Sequence, residues 1–260
     1  MLDNLCYLSE RHLRAPYEVP YQWPEKYILC SSFPKSGNTW FRFIVGNILK
    51  QLIDNNDTPI DFHEVDKYSP YIRGNRKLEG ARLNSEFPLL LKTHFTYVSG
   101  FNVESSIVLF RDPVKALSSY KIYLEDEVGK KFVSNKQFLE HWRYGINAWV
   151  SFHKYWLTTG HLKVVSYEEL AANTFDTMKR FLSKFDLVVT DDVIEKAIEN
   201  SSKEQMNKVR NANGDPHAKN PDYQFVSKSA RKLAFSDEEN ALIREKTDAI
   251  YSQLLELEKS

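Results

Sequence analysis

Four short apolar runs constrain this chain more than any other feature. They lie at residues 27–31 (YILCS), 89–91 (LLL, ending in Lys92), 106–110 (SIVLF) and 162–166 (LKVVS). Runs that are apolar throughout suit strands buried on both faces. Polar or helix-period stretches separate them, and strands alternating with helices indicate a parallel sheet. The pattern therefore predicts an α/β architecture with a central parallel β-sheet flanked by helices. No linker composition interrupts the chain, so residues 1–260 are expected to form one domain.

The helices carry their own signals. From Thr39 onward, Trp40, Phe43, Ile44, Ile48 and Leu52 recur at three- and four-residue steps. Asp112-Pro113 puts a side-chain acceptor at an N-cap and a proline at the first helical position, where its missing N–H is harmless. One long aromatic helix is expected over residues 136–158, carrying Trp142, Trp149, His153 and Trp156. The last three share a face that reads as core. An amphipathic helix should follow the fourth strand to about residue 184, and Thr190 should cap a short helix through Glu199. Ser236 and Glu239 form a capping box for the final helix. Residues 54–87 read as irregular. Residues 210–230 read as a long loop, which in a compact domain marks a functional flap or a disordered segment.

Composition excludes several classes. Lys and Arg number 35, as do Asp and Glu. That balance argues against a general nucleic-acid binder, which would carry a basic excess. Aromatic residues at 13% argue against disorder. The two cysteines, Cys6 and Cys30, lack CxxC spacing and read as free thiols. The first twenty residues hold no apolar core, so no signal peptide is expected, and no apolar run approaches the roughly 20 residues of a membrane span. The expectation is a soluble, cytoplasmic protein with no membrane and no nucleic-acid partner.

Chemistry gathers at the ends of the apolar runs, where ligands bind in parallel α/β folds. The loop SFPKSGNTW follows the first run and leads into a helix N-terminus, whose N–H groups and dipole favour an anion. Gly37 permits close backbone approach, while Lys35, Ser36, Asn38 and Thr39 add donors. A Walker A loop does not fit: Ser32 stands where its first glycine belongs, and Asn38 stands where its lysine belongs. Lys92-Thr93-His94 follows the second run. Arg111 follows the third, with Ser119 eight residues on, about two turns inside the next helix. No HxxxH, cysteine pair or DxD constellation lies near these loops, so no metal ligands are assigned.

Taken together, these residues resemble the sulfotransferase family, which uses 3′-phosphoadenosine 5′-phosphosulfate (PAPS). FPKSGNTW is similar to the family's 5′-phosphosulfate loop, LLKTHF to the stretch carrying its catalytic histidine, and IVLFRDPVKALSSY to its 3′-phosphate element. VVSYEEL is similar to the strand whose tyrosine lies near adenine. The resemblance implies a P-loop-like three-layer fold. It implies that His94 takes the acceptor's proton, that Lys35 steadies the leaving phosphate and that Lys92 stabilises the sulfuryl group. Ser36, Gly37, Asn38 and Thr39 would hold the 5′-phosphate, and Trp40 and Tyr167 would contact adenine. Arg111 and Ser119 would bind the 3′-phosphate, with Lys228 as a further contact from FVSKSARK. Two departures stand out: Asn38 replaces a threonine, and Lys203 in SSKEQM replaces a phenylalanine.

The implied reaction moves a sulfuryl group from PAPS to a hydroxyl or amine of a small-molecule acceptor, by in-line displacement with a histidine base. Residues 54–87 and 123–136 are expected to shape the acceptor site, since loops carry specificity. Two rivals stand beside this reading: a P-loop small-molecule kinase, and a non-catalytic 3′-phosphonucleotide-binding protein.

Overall fold

The computed structural model describes residues 24–72, 78, 80–81, 86–97, 101–216, 218, 220 and 234–259. In chain order the elements are β1 (Tyr27–Ser32), α1 (Asn38–Asp54), α2 (Val65–Tyr68), β2 (Leu89–Thr93), β3 (Ser106–Phe110), α3 (Pro113–Asp126), α4 (Asn135–Leu139) and α5 (Ile146–Leu157). There follow β4 (Lys163–Ser166), α6 (Tyr167–Ala172), α7 (Thr174–Ser183), α8 (Asp191–Asn200), α9 (Lys203–Asn213) and α10 (Asp237–Lys259). All four strands pair in parallel, in the order β2-β1-β3-β4. Among the described residues no helix is long and apolar enough to cross a membrane.

Strand alternation produces three layers, because successive side chains point to opposite faces. Leu29, Leu91, Val108, Phe110 and Val164 join one buried cluster with residues of α3, α5 and α10. Ile28, Cys30, Leu90, Ile107, Leu109 and Val165 join the other with residues of α1, α7 and α8. Both sheet faces are covered, which is why the strands read as unbroken apolar runs. In α1, Phe41, Phe43, Ile44, Ile48 and Leu49 are buried. Each such side chain contributes about 1.5–3 kcal/mol of burial.

The chain leaves β1 for β2 on one side and returns to β3 on the other. This reversal places a topological switch point at the carboxyl ends of β1 and β3, the position where open α/β sheets bind ligands.

Several boundaries differ from the sequence expectation. The helix expected over 136–158 breaks into α4 and α5, and Trp142 lies between them. Gly145 explains the break. Its backbone is extended, and a Cβ there would sit 2.1 Å from Leu139 O and 2.5 Å from Phe138 O. The helix expected after β4 also divides, at Asn173 (φ −136, ψ 59), whose amide N–H and side chain both bond Glu169. Asparagine competes in this way with helical bonding. Thr190 occupies the N-cap of α8 but its side chain caps no backbone N–H. Within the loop expected over residues 210–230, α9 continues to Asn213 with Ser202 as its cap, and most of residues 217–230 lie outside the described residues.

Other expectations are met. Asp112 accepts from Lys115 N at 2.9 Å, capping α3. Ser236 and Glu239 bond each other's backbone N–H groups reciprocally. Trp149, His153 and Trp156 are fully buried in the core. Cys30 is a free, buried thiol, and Cys6 lies outside the described residues.

Candidate active site

The loop after β1 is shaped by two residues of left-handed backbone, Lys35 (φ 68) and Gly37 (φ 88). Positive-φ turns build backbone concavities that receive anions. Gly37 is also the N-cap of α1, so the loop delivers the helix's unpaired N–H groups to its own mouth. Ser36 is buried and its hydroxyl has no hydrogen-bond partner. Asn38 donates from Nδ2 to Ser32 Oγ at 3.0 Å, while its Oδ1 is buried without a partner. Thr39 follows in the first turn of α1, half-buried.

Tyr167 and Arg111 complete this side of the site. Tyr167 opens α6 directly after β4, and its ring packs on Gly37. Trp40 meets that ring edge-on at 6.2 Å, and its indole donates to Ser201 O at 3.0 Å. Arg111 lies just past β3. Its guanidinium stacks over Tyr167 at 4.4 Å and donates to Lys35 O at 3.1 Å. Its Nε is buried with no hydrogen bond. Thus Lys35, Gly37, Arg111, Tyr167 and Trp40 form one continuous group across the ends of β1, β3 and β4.

A second group lies at the ends of β1 and β2. The Nδ1 of His94 is 2.7 Å from Ser32 O and 3.4 Å from Ser32 Oγ. A carbonyl oxygen only accepts, so Nδ1 carries the proton and Nε2 carries the lone pair. Ser32 is shared: its hydroxyl also receives Asn38, which joins His94 to the loop. Lys92 rests its Nζ over the Tyr71 ring at 3.4 Å, and Tyr71 meets the His94 ring edge-on at 5.7 Å. Lys35 extends its Nζ over Tyr123 of α3 at 4.8 Å.

Not every expected residue joins these groups. Ser119 is half-buried on α3 and shares no hydrogen bond with Arg111. Its neighbour Ser118 instead accepts from Ala234 N at 2.8 Å. Lys228 lies outside the described residues. The region 54–87 supplies Tyr71, and the region 123–136 supplies Tyr123, though neither tyrosine was singled out by sequence. Glu168 was also missed. Its Oε2 accepts from Asp112 N at 3.2 Å, and its Oε1 lies 4.0 Å from Arg111 Nε.

The residues present fit an anionic nucleotide. The unpaired donors on Ser36 and Arg111 are buried groups of the kind that a phosphate oxygen satisfies, and leaving them unsatisfied costs about 1–3 kcal/mol each. Lys35, Lys92 and Arg111 set three positive charges at the ends of adjacent strands.

Comparison with known proteins agrees with this geometry. A model of the sulfotransferase domain matches residues 25–257. A comparison with curated proteins finds no match. Among solved structures, retinol dehydratase in complex with retinol and PAP is similar at a TM-score of 0.65 and 12% identity, over 94% of this chain and 85% of that one. Retinol dehydratase with androsterone and the inactive cofactor PAP is similar at 0.62 and 13%, over 94% and 84%. Mouse sulfotransferase SULT7A1 complexed with PAP is similar at 0.60 and 15%, over 97% and 95%. At these identities the structures establish a shared fold, and the domain match establishes kinship. The chain belongs to the sulfotransferase family, enzymes that draw their sulfuryl group from PAPS.

Proposed function

We propose that this chain sulfates a hydroxyl or amine of a small-molecule acceptor, with His94 as the base. The observation that carries the reading is the Nδ1 contact of His94 with Ser32 O at 2.7 Å. It fixes the tautomer and leaves Nε2 as the proton-accepting nitrogen. Histidine suits this role because its ordinary pKa lies near neutral pH.

PAPS, when bound, supplies the sulfuryl group and departs as 3′,5′-ADP. The other roles belong to the chain. Ser36, Gly37, Asn38 and Thr39 hold the 5′-phosphate at the N-terminus of α1, and Tyr167 and Trp40 flank the adenine. Arg111 holds the 3′-phosphate, with Ser119 and Lys228 as further contacts. Lys35 and Lys92 hold positive charge where negative charge develops, which is the largest contribution a preorganised site makes to transfer chemistry of this kind. The small molecules found in complex with retinol dehydratase, androsterone and retinol, set the size class in which to search. We further propose that residues 1–260 act as one domain in the cytoplasm.

A screen of hydroxyl and amine acceptors with ³⁵S-labelled PAPS tests the proposal. Transfer of label to an acceptor, lowered roughly 10²–10⁴-fold in kcat by His94→Ala with 3′,5′-ADP binding retained, is the expected result. Magnesium-dependent ATP turnover would replace this reading with a kinase. Tight 3′,5′-ADP binding without transfer to any acceptor would replace it with a binding protein.

A further inference from the structure

Glu168 faces the Arg111 guanidinium in an unusual way. Its Oε2 is tied to the backbone N–H of Asp112, the residue after Arg111. Its Oε1 and the Arg111 Nε lie 4.0 Å apart, and both are buried with no hydrogen bond. The carboxylate therefore fixes the backbone beneath Arg111 yet leaves the neighbouring Nε–H unpaired. The Lys35 carbonyl and the Tyr167 ring hold two other aspects of the same guanidinium.

We propose that Glu168 is the positioning residue for Arg111, and that it takes up a proton when a 3′-phosphate binds there. The inference rests on Arg111 being the 3′-phosphate contact. A phosphate monoester brings about two negative charges to a cation that a carboxylate already faces. A second anion brought beside a carboxylate raises that carboxyl's proton affinity. Glu168 is predisposed to yield, because burial already pushes its carboxyl up, against the opposing Asp112 N–H and the Arg111 and Lys115 charges.

The remaining charged neighbours do not offset this response. Asp112 is paired with Arg244 of α10. From the same helix, Tyr251 has its phenol pushed up to about 12, first by burial and then by the Glu168 and Asp112 charges. Glu258 accepts from Ser166 N at 2.6 Å. Among the described residues, Arg111 and Lys115 are the cations that act on Glu168, and Arg111 is the one the ligand would engage.

The test is calorimetric titration of the full chain with 3′,5′-ADP and with 5′-AMP, from pH 7 to 8, above the phosphate's own second pKa of about 6, in buffers of differing ionisation enthalpy. Wild type should take up more protons with 3′,5′-ADP than with 5′-AMP. In Glu168→Gln, whose amide oxygen can still accept from Asp112 N–H, that excess should vanish. Preference for the 3′-phosphate should then lose its decline with rising pH, a change of about tenfold for each unit by which the ligand raises the Glu168 pKa. Equal proton uptake with both nucleotides in wild type overturns the inference, even if the variant fails to fold. An unchanged excess in Glu168→Gln overturns it as well. Absence of any preference for 3′,5′-ADP over 5′-AMP would instead remove the 3′-phosphate role of Arg111.

Discussion

Gly37 and Tyr167 are packed so closely that a Cβ on Gly37 would lie 2.4 Å from Tyr167 Cδ2. The contact links the loop after β1 to the tyrosine beneath Arg111. Gly37→Ala must therefore move the ring, and it must also hold alanine at φ 88, which costs an L-residue roughly 1–2 kcal/mol. The expected outcome is a loss of 3′,5′-ADP affinity of at least about tenfold, with destabilisation of about 1–3 kcal/mol. Combining Gly37→Ala with Tyr167→Ala removes the clash, so the two changes should be non-additive in a double-mutant cycle of binding. Strict additivity would show that the contact does not couple the two residues.

Lys35 combines an ammonium group with left-handed backbone at φ 68. Glycine accepts that backbone without penalty. Lys35→Gly should therefore leave stability within about 1 kcal/mol of wild type, since relief of strain offsets the added freedom of the unfolded chain. The single-turnover rate of transfer should fall by about 10²–10³-fold, the size of losing one charge-stabilising donor. Rapid-quench measurement with labelled PAPS checks this. A rate equal to wild type would show that the Lys35 charge does not act in the chemical step.

These residues differ in how readily sequence reveals them. The four strands were legible because parallel strands buried on both faces are locally apolar. Arg111 was legible because it directly follows β3, and Lys35 and Gly37 because they lie in the short loop between β1 and α1. Tyr71, Ser32 and Glu168 were not, since their roles arise from pairing between distant segments. Ser32 meets His94 across 62 residues, and Glu168 meets Asp112 across 56. The break at Gly145 was hidden for a different reason: apolar positions continue on both sides of it, so helical periodicity alone did not register the extended backbone.

Tyr71 presents a test of how Lys92 is held. The bridge between Tyr71 and Lys92 and the bond from Ile72 N to Lys92 O at 2.9 Å fix the two backbones side by side. The ring then carries the Lys92 ammonium and borders His94. A cation–π contact of this kind is worth about 0.5–2 kcal/mol. Tyr71→Leu should lower kcat about 2- to 30-fold, in proportion to that energy, with little change in 3′,5′-ADP affinity. Tyr71→Phe keeps the ring face and should restore most of the rate. If leucine and phenylalanine variants turn over equally, the aromatic face does not position Lys92.

His153 gives the fold a defined acid sensitivity. It is fully buried on α5, where Nδ1 donates to Trp149 O at 2.9 Å and Nε2 has no partner. Burial pushes its pKa down to about 3, from an ordinary value of 6.5. The unfolded chain regains the ordinary value and binds a proton below pH 6.5, while the folded chain stays neutral until about pH 3. The stability linked to neutral His153 is therefore fully present above pH 6.5 and is lost progressively as pH falls toward 3. The slope approaches about 1.4 kcal/mol per pH unit. Replacement by leucine removes the titrating group at an apolar site bordered by Phe33, Trp149 and Phe152. Between pH 7 and pH 5, wild type should lose about 2 kcal/mol more stability than His153→Leu in urea denaturation. The comparison cancels the carboxylates common to both chains, so identical pH dependence in the two would mean that His153 is protonated to the same extent in the folded and unfolded states.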